Sequence, residues 1–220
     1  MKKLLINLAV LTLCVLCVSN ARAALTATWD FTGQSGTGPY AGTVSGFTSA
    51  SLAVANLSSG ANIVTTSAGL PQPSLNMTKV NNGVLTLTLV VSQSLTMSTL
   101  SYNYQLLSGQ TSGTMTWTYN INGGAAQSLS AVSVTGGTGW QSSGSINLSS
   151  ISATSGQTIN IIGTLAGFGG NGGDINFDNF SATSAVPEPI TYALAGFGLL
   201  FVGGSAGRFY LRRKNASQIA

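Results

Sequence analysis

Hydrophobic and polar residues alternate along several stretches of the chain, as they do in β-strands that bury one face. The stretches with this period of two, each predicted to be a strand, are 26–31, 85–91, 102–106, 114–121, 159–165 and 175–180. In the fourth stretch the apolar face carries Met115, Trp117 and Tyr119, and we expect this face to lie in the core. The stretch ends at Asn122-Gly123-Gly124, which is a strong hairpin-turn signal.

The segment 24–185 is rich in Ser, Thr, Gly and Asn and nearly free of Glu, Lys and Arg. Surface helices usually depend on charged straight-chain residues, so this composition favours strands joined by short turns. Strands at this spacing with Gly-rich turns predict an all-β fold, an antiparallel β-sandwich of the jelly-roll type. No change of composition divides the segment, so we expect one domain over 24–185.

The N-terminus has the order of segments found in a secretory signal peptide. Lys2 and Lys3 precede an apolar stretch at 4–18, and Ala21-Arg22-Ala23 precedes Ala24. A positive start, an apolar stretch and a small-x-small site predict cleavage by signal peptidase after Ala23, so that 1–23 is removed. Both cysteines of the chain lie in the apolar stretch, and we therefore expect no disulfide in the exported protein.

The C-terminus contains a break, an apolar run and a basic cluster, in that order. Val186-Pro187-Glu188-Pro189 cannot continue a helix, because each proline fixes its own φ and pushes the residue before it toward an extended conformation. The uncharged run at 190–207 predicts one transmembrane helix that extends to about 211, because Arg208 can snorkel outward. The basic residues after the run are Arg208, Arg212, Arg213 and Lys214. They predict a cytoplasmic C-terminus and a body exported through the inner membrane, with 215–220 as a short tail.

The positive charge of the chain is carried almost entirely by these two terminal segments. The whole chain has a net charge of +4 and a pI near 9.3, but seven of its eight basic residues lie in the termini. Between 24 and 185, Lys79 stands against three aspartates, which gives a net charge of −2. Nucleic-acid binding needs clustered basic residues, so we expect no nucleic-acid partner.

The body has few groups that could perform catalysis. It contains no His, Cys or Glu, which excludes a Ser–His–Asp or Cys–His arrangement and a His/Cys zinc site. Asp174 and Asp178, four residues apart in a strand, would lie about 13 Å apart, beyond the roughly 5–9.5 Å of a glycosidase pair. We therefore predict no catalytic residue and no enzymatic activity.

The three aspartates of the body are better suited to a structural calcium ion. Asp30 lies at the end of the predicted first strand, and Asp174 and Asp178 lie in the predicted last strand. First and last strands often lie together in a sandwich, where carboxylate, amide and backbone oxygens could surround one ion. The alternative is that these residues cap turns or face water.

Exposed aromatic rings are the other candidate functional groups, because they can stack on sugar rings. Trp140 lies in a Gly- and Ser-rich stretch at 136–144 that is predicted to be a loop, and it is the first candidate for ligand contact. Trp29 is the second candidate. The alternative for both is burial, since large aromatic side chains of a domain without disulfides usually belong to its core.

The terminal segment resembles the PEP-CTERM sorting signal of Gram-negative bacteria. The resemblance rests on Val186-Pro187-Glu188-Pro189, the Gly-rich span and Arg212-Arg213-Lys214, in this order at the C-terminus. It implies recognition and processing near Pro-Glu-Pro by an exosortase, followed by release or attachment at the cell surface. The body is similar to jelly-roll ectodomains that often carry this signal, through Trp29-Asp30-Phe31 and Phe177-Asp178-Asn179-Phe180.

Two functions of different class are consistent with the sequence. In the first, the protein binds exopolysaccharide at the cell surface or in the extracellular matrix and aids the cohesion of a biofilm or floc. In the second, it is a self-associating coat or fibre component without a specific ligand, because uncharged β-rich segments such as Val84 to Val91 favour association.

Overall fold

The structure of the protein is a computed structural model, and its two ends lie outside the residues it describes. Those described are 24–36, 38–55, 61–64 (backbone only), 73–78, 80–107, 111–136, 139–169 and 174–185. The predicted signal peptide and sorting signal lie outside these ranges, as does the predicted helix at about 190–211. Within them, no helix is long and apolar enough to cross a membrane. Ala24–Ala185 forms one compact unit.

The unit is built from strands. Each sequence stretch with a period of two lies within a strand, except that the first strand ends at Trp29, two residues before the end of the predicted stretch 26–31. In chain order they are β1 Thr26–Trp29, β2 Tyr40–Ala41, β3 Thr43–Ser45, β4 Phe47–Ala55, β5 Ala61–Val64, β6 Ser74–Thr78, β7 Val84–Val91, β8 Leu95–Leu106, β9 Gly113–Ile121, β10 Gln127–Val134, β11 Gln141–Ser142, β12 Ile146–Asn147, β13 Ser152–Ala153, β14 Thr158–Ala166 and β15 Asp174–Ser184.

The strands form two antiparallel sheets that enclose one core, which confirms the prediction of an all-β antiparallel sandwich, of jelly-roll-like form. One sheet has the order β10-β9-β14-β7-β4-β2. In the other, β8 and β15 are central, with β1 and β3 beyond β15 and the short β11, β12 and β13 beside β8. Strand β7, which was expected to favour self-association, is paired on one side with β4 and on the other with β14.

The first and last strands pair, as expected. One side of β15 pairs with β8 along most of its length. On its other side, β6 pairs with 174–177 and β1 pairs with 180–183, so β6 and β1 lie end to end. Asn179, at the junction between them, has a φ of 52° and belongs to a β-bulge.

Aromatic side chains from both sheets fill the core. Tyr102 stacks on Phe180 with 5.0 Å between the ring centroids, and Trp117 of the facing sheet lies 5.6 Å from Tyr102. Met115, Trp117 and Tyr119 are all buried, which confirms the predicted core face. The predicted hairpin turn after this strand is also confirmed, since Asn122 and Gly123 both have positive φ, at 52° and 72°.

A glycine allows the chain to pass from one sheet to the other. Gly46 lies between β3 in one sheet and β4 in the other and has a φ of 81°. A Cβ at this position would overlap the side chain of Leu25. The corner therefore needs both the conformational freedom and the small volume of glycine.

Candidate functional site

An open groove lies along the outer edge of strand β10. It has a volume of about 380 Å³, and its lining is formed by Ser128, Leu129, Ser130, Asn147, Ser149 and Ser150. Five of these six side chains carry a hydroxyl or an amide, and none is charged. Such a lining can donate and accept hydrogen bonds but offers an ionic ligand no countercharge.

A β-bulge shapes one wall of the groove. Ser128 pairs with Thr118 and Ala131 pairs with Thr116, so β10 has one residue more than β9 between these two pairs. Leu129 is partly buried and packs against the core, while Ser130 is exposed. The bulge thus interrupts the ladder at an edge strand and leaves a neutral, irregular wall.

The opposite wall is held by alternating buried side chains. Ile146, Leu148 and Ile151 are buried, and the Leu148 backbone N–H donates to Ser98 O at 2.9 Å. Between them, Asn147 and Ser149 point outward and are exposed. Asn147 Oδ1 accepts the Ser149 N–H at 2.8 Å, a local bond that fixes the turn.

Tyr119 joins the two walls at one end of the groove. Its hydroxyl lies 3.3 Å from Gln127 Oε1 and 3.3 Å from Ser150 O, and both of these atoms are acceptors. One hydroxyl has a single proton to donate, so it satisfies one of these acceptors at a time. This end of the groove therefore has an acceptor available to a hydroxyl group from a ligand.

The two predicted ligand-contact tryptophans lie apart from this groove. Trp140 is partly buried and directly precedes β11; its Nε1 is buried without a hydrogen-bond partner in the described part of the chain. Its role in ligand contact stays a prediction.

The prediction for Trp29 is wrong in so far as it requires an accessible ring. Only 1% of the Trp29 surface is exposed, and its Nε1 donates to Tyr40 O at 3.3 Å. The ring packs directly over Gly42, where a Cβ would lie 2.7 Å from a ring carbon. Trp29 therefore belongs to the core, because β1 alternates and this residue faces inward.

Two of the three aspartates are brought together, and the third is not. Because Trp29 pairs with Phe180, Asp30 follows β1 at the position beside Asp178 and Asn179. Asp174 instead lies opposite Thr78, four residues and about 13 Å along β15 from Asp178. The predicted three-carboxylate calcium site is wrong as to Asp174. Within the described residues, no three His, Cys, Asp or Glu side chains gather in a group that could hold a metal ion.

The environment of Asp178 differs from that of an ordinary surface acid. Burial raises the pKa of its carboxyl from 3.8 to about 6; hydrogen bonding from the Asn179 backbone lowers it, and the charge of Asp30 raises it. Asp178 Oδ1 accepts the Asn179 N–H at 2.7 Å, and Oδ2 accepts Asn179 Nδ2 at 3.1 Å. Asp30 is exposed, and its Oδ1 accepts the Thr32 N–H at 3.0 Å.

Sequence patterns did not predict the groove, because its walls come from segments about twenty residues apart that are joined by no shared motif. The local signal is the interrupted alternation at Leu129 in β10. In sequence, a bulge inside a strand and the end of a strand both interrupt the alternation in this way.

The chain matches no protein-family model and no curated protein sequence. Among solved structures, it is similar to TmCBM61 in complex with β-1,4-galactotriose (TM-score 0.42, 14% identity, 61% of this chain and 88% of that chain). It is also similar to a family 11 carbohydrate-binding module from Clostridium thermocellum in complex with a β-1,3-1,4-mixed-linked tetrasaccharide (TM-score 0.39, 15% identity, 73% and 96%). A third is the Podospora anserina GH26-CBM35 β-(1,4)-mannanase (TM-score 0.41, 15% identity, 74% and 28%). At these TM-scores, neither the ligand nor its site follows from the likeness.

Proposed function

We infer that this chain is an exported protein that binds a neutral polysaccharide. The observation that carries the inference is the groove along β10, an open channel of about 380 Å³ with an uncharged lining rich in hydroxyl groups. A sugar chain presents hydroxyl groups that both donate and accept hydrogen bonds, and serine and asparagine side chains match both roles. The acceptor left over beside Tyr119 favours a ligand rich in donors.

The terminal segments support a place outside the cell for this binding. The signal peptide at 1–23 directs export, and the Pro-Glu-Pro segment with its basic cluster is the substrate of an exosortase. Exopolysaccharide at the cell surface or in the matrix is then the polymer that the exported body meets, and binding to it aids the cohesion of a biofilm or floc.

The alternative, self-association into a coat or fibre, has less support. Val84–Val91 was the segment that favoured it, and both edges of this strand are already paired within the sheet. The exposed edge strand β10 is interrupted by a bulge, a feature that hinders edge-to-edge pairing.

The test is binding of the full chain to the exopolysaccharide of its host and to neutral glycans of defined linkage, measured by affinity electrophoresis. The double variant Ser130→Ala, Ser149→Ala removes two hydroxyls from the groove, and we expect it to bind about thirtyfold more weakly, at about 1 kcal/mol per hydrogen bond. The matched control is Ser49→Ala, Ser133→Ala, two exposed serines in strands β4 and β10 that do not line the groove.

Equal weakening in both double variants would place the binding elsewhere on the molecule. A chain that binds no neutral glycan and forms fibres as its concentration rises would overturn the proposal in favour of self-association.

A further inference from the structure

Three buried polar side chains lie close together on the outward face of the sheet that contains β15. Ser74 is 0% exposed, Asn176 2% and Asp178 4%. Leu75 pairs with Phe177 and both face the core, so the residues next to them in each strand face outward. The next step of the same register places Ser74 opposite Asp178.

Asp178 lies at a junction of strands. On the side of β15 away from β8, β6 begins at Ser74 and β1 ends at Trp29, and these two ends meet beside Asp178. Asp30 directly follows Trp29, and its charge acts on the Asp178 carboxyl. The topology therefore brings oxygens from three separate segments of the chain, Asp30, Ser74 and Asp178, to one point.

Two buried polar atoms on this face have no hydrogen-bond partner within the described part of the chain. Ser74 Oγ has no hydrogen-bond partner among the described residues. Gln105 Oε1, on the outward face across β15, is also buried and without a partner in that part of the chain. Among the described residues, Asn179 donates to the Asp178 carboxylate through its backbone N–H and its side-chain amide. Buried polar groups are normally satisfied, so two unpartnered atoms beside a buried carboxylate call for an explanation.

No protein cation compensates the charge at the junction within the described ranges, because these ranges contain no Lys, Arg or His. Two carboxylates close together, one of them buried, are unfavourable unless a positive charge joins them. A hard cation that prefers oxygen ligands would neutralise the carboxylates and bind the free serine oxygen at once.

We propose that the junction of β1, β6 and β15 is a calcium site, with Asp30 and Asp178 as carboxylate ligands and Ser74 Oγ as a neutral ligand. Backbone carbonyls and water would complete the six to eight oxygens that Ca²⁺ takes. The ion ties the start of the domain to its last strand, and Asp174, at the far end of the β6 pairing, takes no part. The site lies in the sheet opposite to that of β10 and is independent of glycan binding.

In the first experiment, divalent ions are removed from the full chain, which is then titrated with CaCl₂ alone by isothermal titration calorimetry. We expect one Ca²⁺ per chain, at least a tenfold rise in Kd in Asp30→Asn and in Ser74→Ala, and no measurable binding in Asp178→Asn. The matched control is Asp174→Asn, which removes the same charge from the same strand and should leave the Kd unchanged. Asp30 is exposed, so Asp30→Asn is expected to fold. A loss of Ca²⁺ binding in this variant can then be attributed to the missing carboxylate and not to misfolding.

The second experiment compares the thermal unfolding midpoints of the wild type and Asp178→Asn in chelator and in excess Ca²⁺. In chelator the variant should have the higher midpoint, because it removes a buried, uncompensated charge. In Ca²⁺ the order should reverse, since only the wild type gains stability from the ion. A higher midpoint for the variant under both conditions, no binding by the wild type, or an equal loss in Asp174→Asn would overturn the proposal.

Discussion

At the scale of single residues, Asp178 couples the stability of the domain to pH. Burial and the charge of Asp30 raise the pKa of its carboxyl to about 6 in the folded chain, against 3.8 for the ordinary group. Between these two values the folded state holds more protons than the unfolded state. Stability is therefore lost as the pH rises through this range, and the loss is complete above about pH 6.

We predict that, in the presence of a chelator, the free energy of unfolding is higher at pH 4.5 than at pH 7.5. A shift from 3.8 to about 6 corresponds to at most about 3 kcal/mol, and to less where solvent reaches the carboxyl. Urea unfolding at the two pH values measures the difference. Asp178→Asn should show little of it, and a wild type that gains stability between pH 4.5 and 7.5 would contradict the prediction.

At the scale of elements, two neighbouring strands pack closely where a large side chain in one lies beside a glycine in the other. Gly163 of β14 pairs with Trp117 of β9, and the indole ring covers the space where a side chain would be. A Cβ on Gly163 would lie 2.9 Å from two ring carbons of Trp117 and would also overlap the end of the Met115 side chain. The two strands have no spare volume at this point.

We predict that Gly163→Ala lowers the free energy of unfolding by about 1–3 kcal/mol, which is the usual cost of overpacking a core. The midpoint of urea unfolding measures it. The control is Gly139→Ala, because a Cβ there meets nothing within 4 Å and its φ is not positive. Equal stability of both variants would mean that the Trp117 ring moves aside freely.

Elements that bury one face could be predicted from the sequence, and elements at the edges could not. The alternation in 85–91 and 159–165 identified β7 and β14, since these strands face the core on one side. Strand β10 has no such pattern, because it is exposed on most of both faces and is held by the backbone of β9. The two-residue strands β11, β12 and β13 depend in the same way on their long partner, β8.

The same distinction applies to the candidate sites. That Asp30 and Asp178 meet follows from the pairing of first and last strands, a rule that needs only the strand order. That Asp174 stays apart from Asp178 follows from the rise of a strand, which separates residues four apart by about 13 Å. That β6 and β1 share one side of β15 is what no local pattern reveals. The burial of Trp29 could have been predicted, because the alternation in 26–31 places it on the same face as Ala27 and Phe31, which are both buried.

At the scale of the whole molecule, the charged residues are concentrated in the two terminal segments that we propose direct sorting, and few lie in the body between them. Seven of the eight basic residues lie in the two terminal segments. The body between them has a net charge of −2, so the binding that we propose for it should depend on hydrogen bonds and packing rather than on charge.

We predict that replacing Pro187-Glu188-Pro189 by alanines stops processing of the chain in a host that makes an exosortase. Unprocessed chain should then accumulate in the membrane fraction, with a mass larger by the uncleaved C-terminal segment, as mass spectrometry and cell fractionation can show. The control is Asp174→Asn, a change of charge in the body. Normal release of the triple-alanine chain would exclude the proposed sorting signal.

Strand β15 lies at the centre of its sheet and is also the last of the described strands in the chain, so it is the last of them to leave the ribosome. Before it emerges, β1 and β6 lack their shared partner and β8 lacks its longest one. The Leu25 N–H, for example, bonds to Ser184 Oγ across 159 residues of sequence. Pairings this distant form slowly and only once both ends are present. In the export that we propose, this order of strands delays folding until β15 is available, however stable the finished domain is.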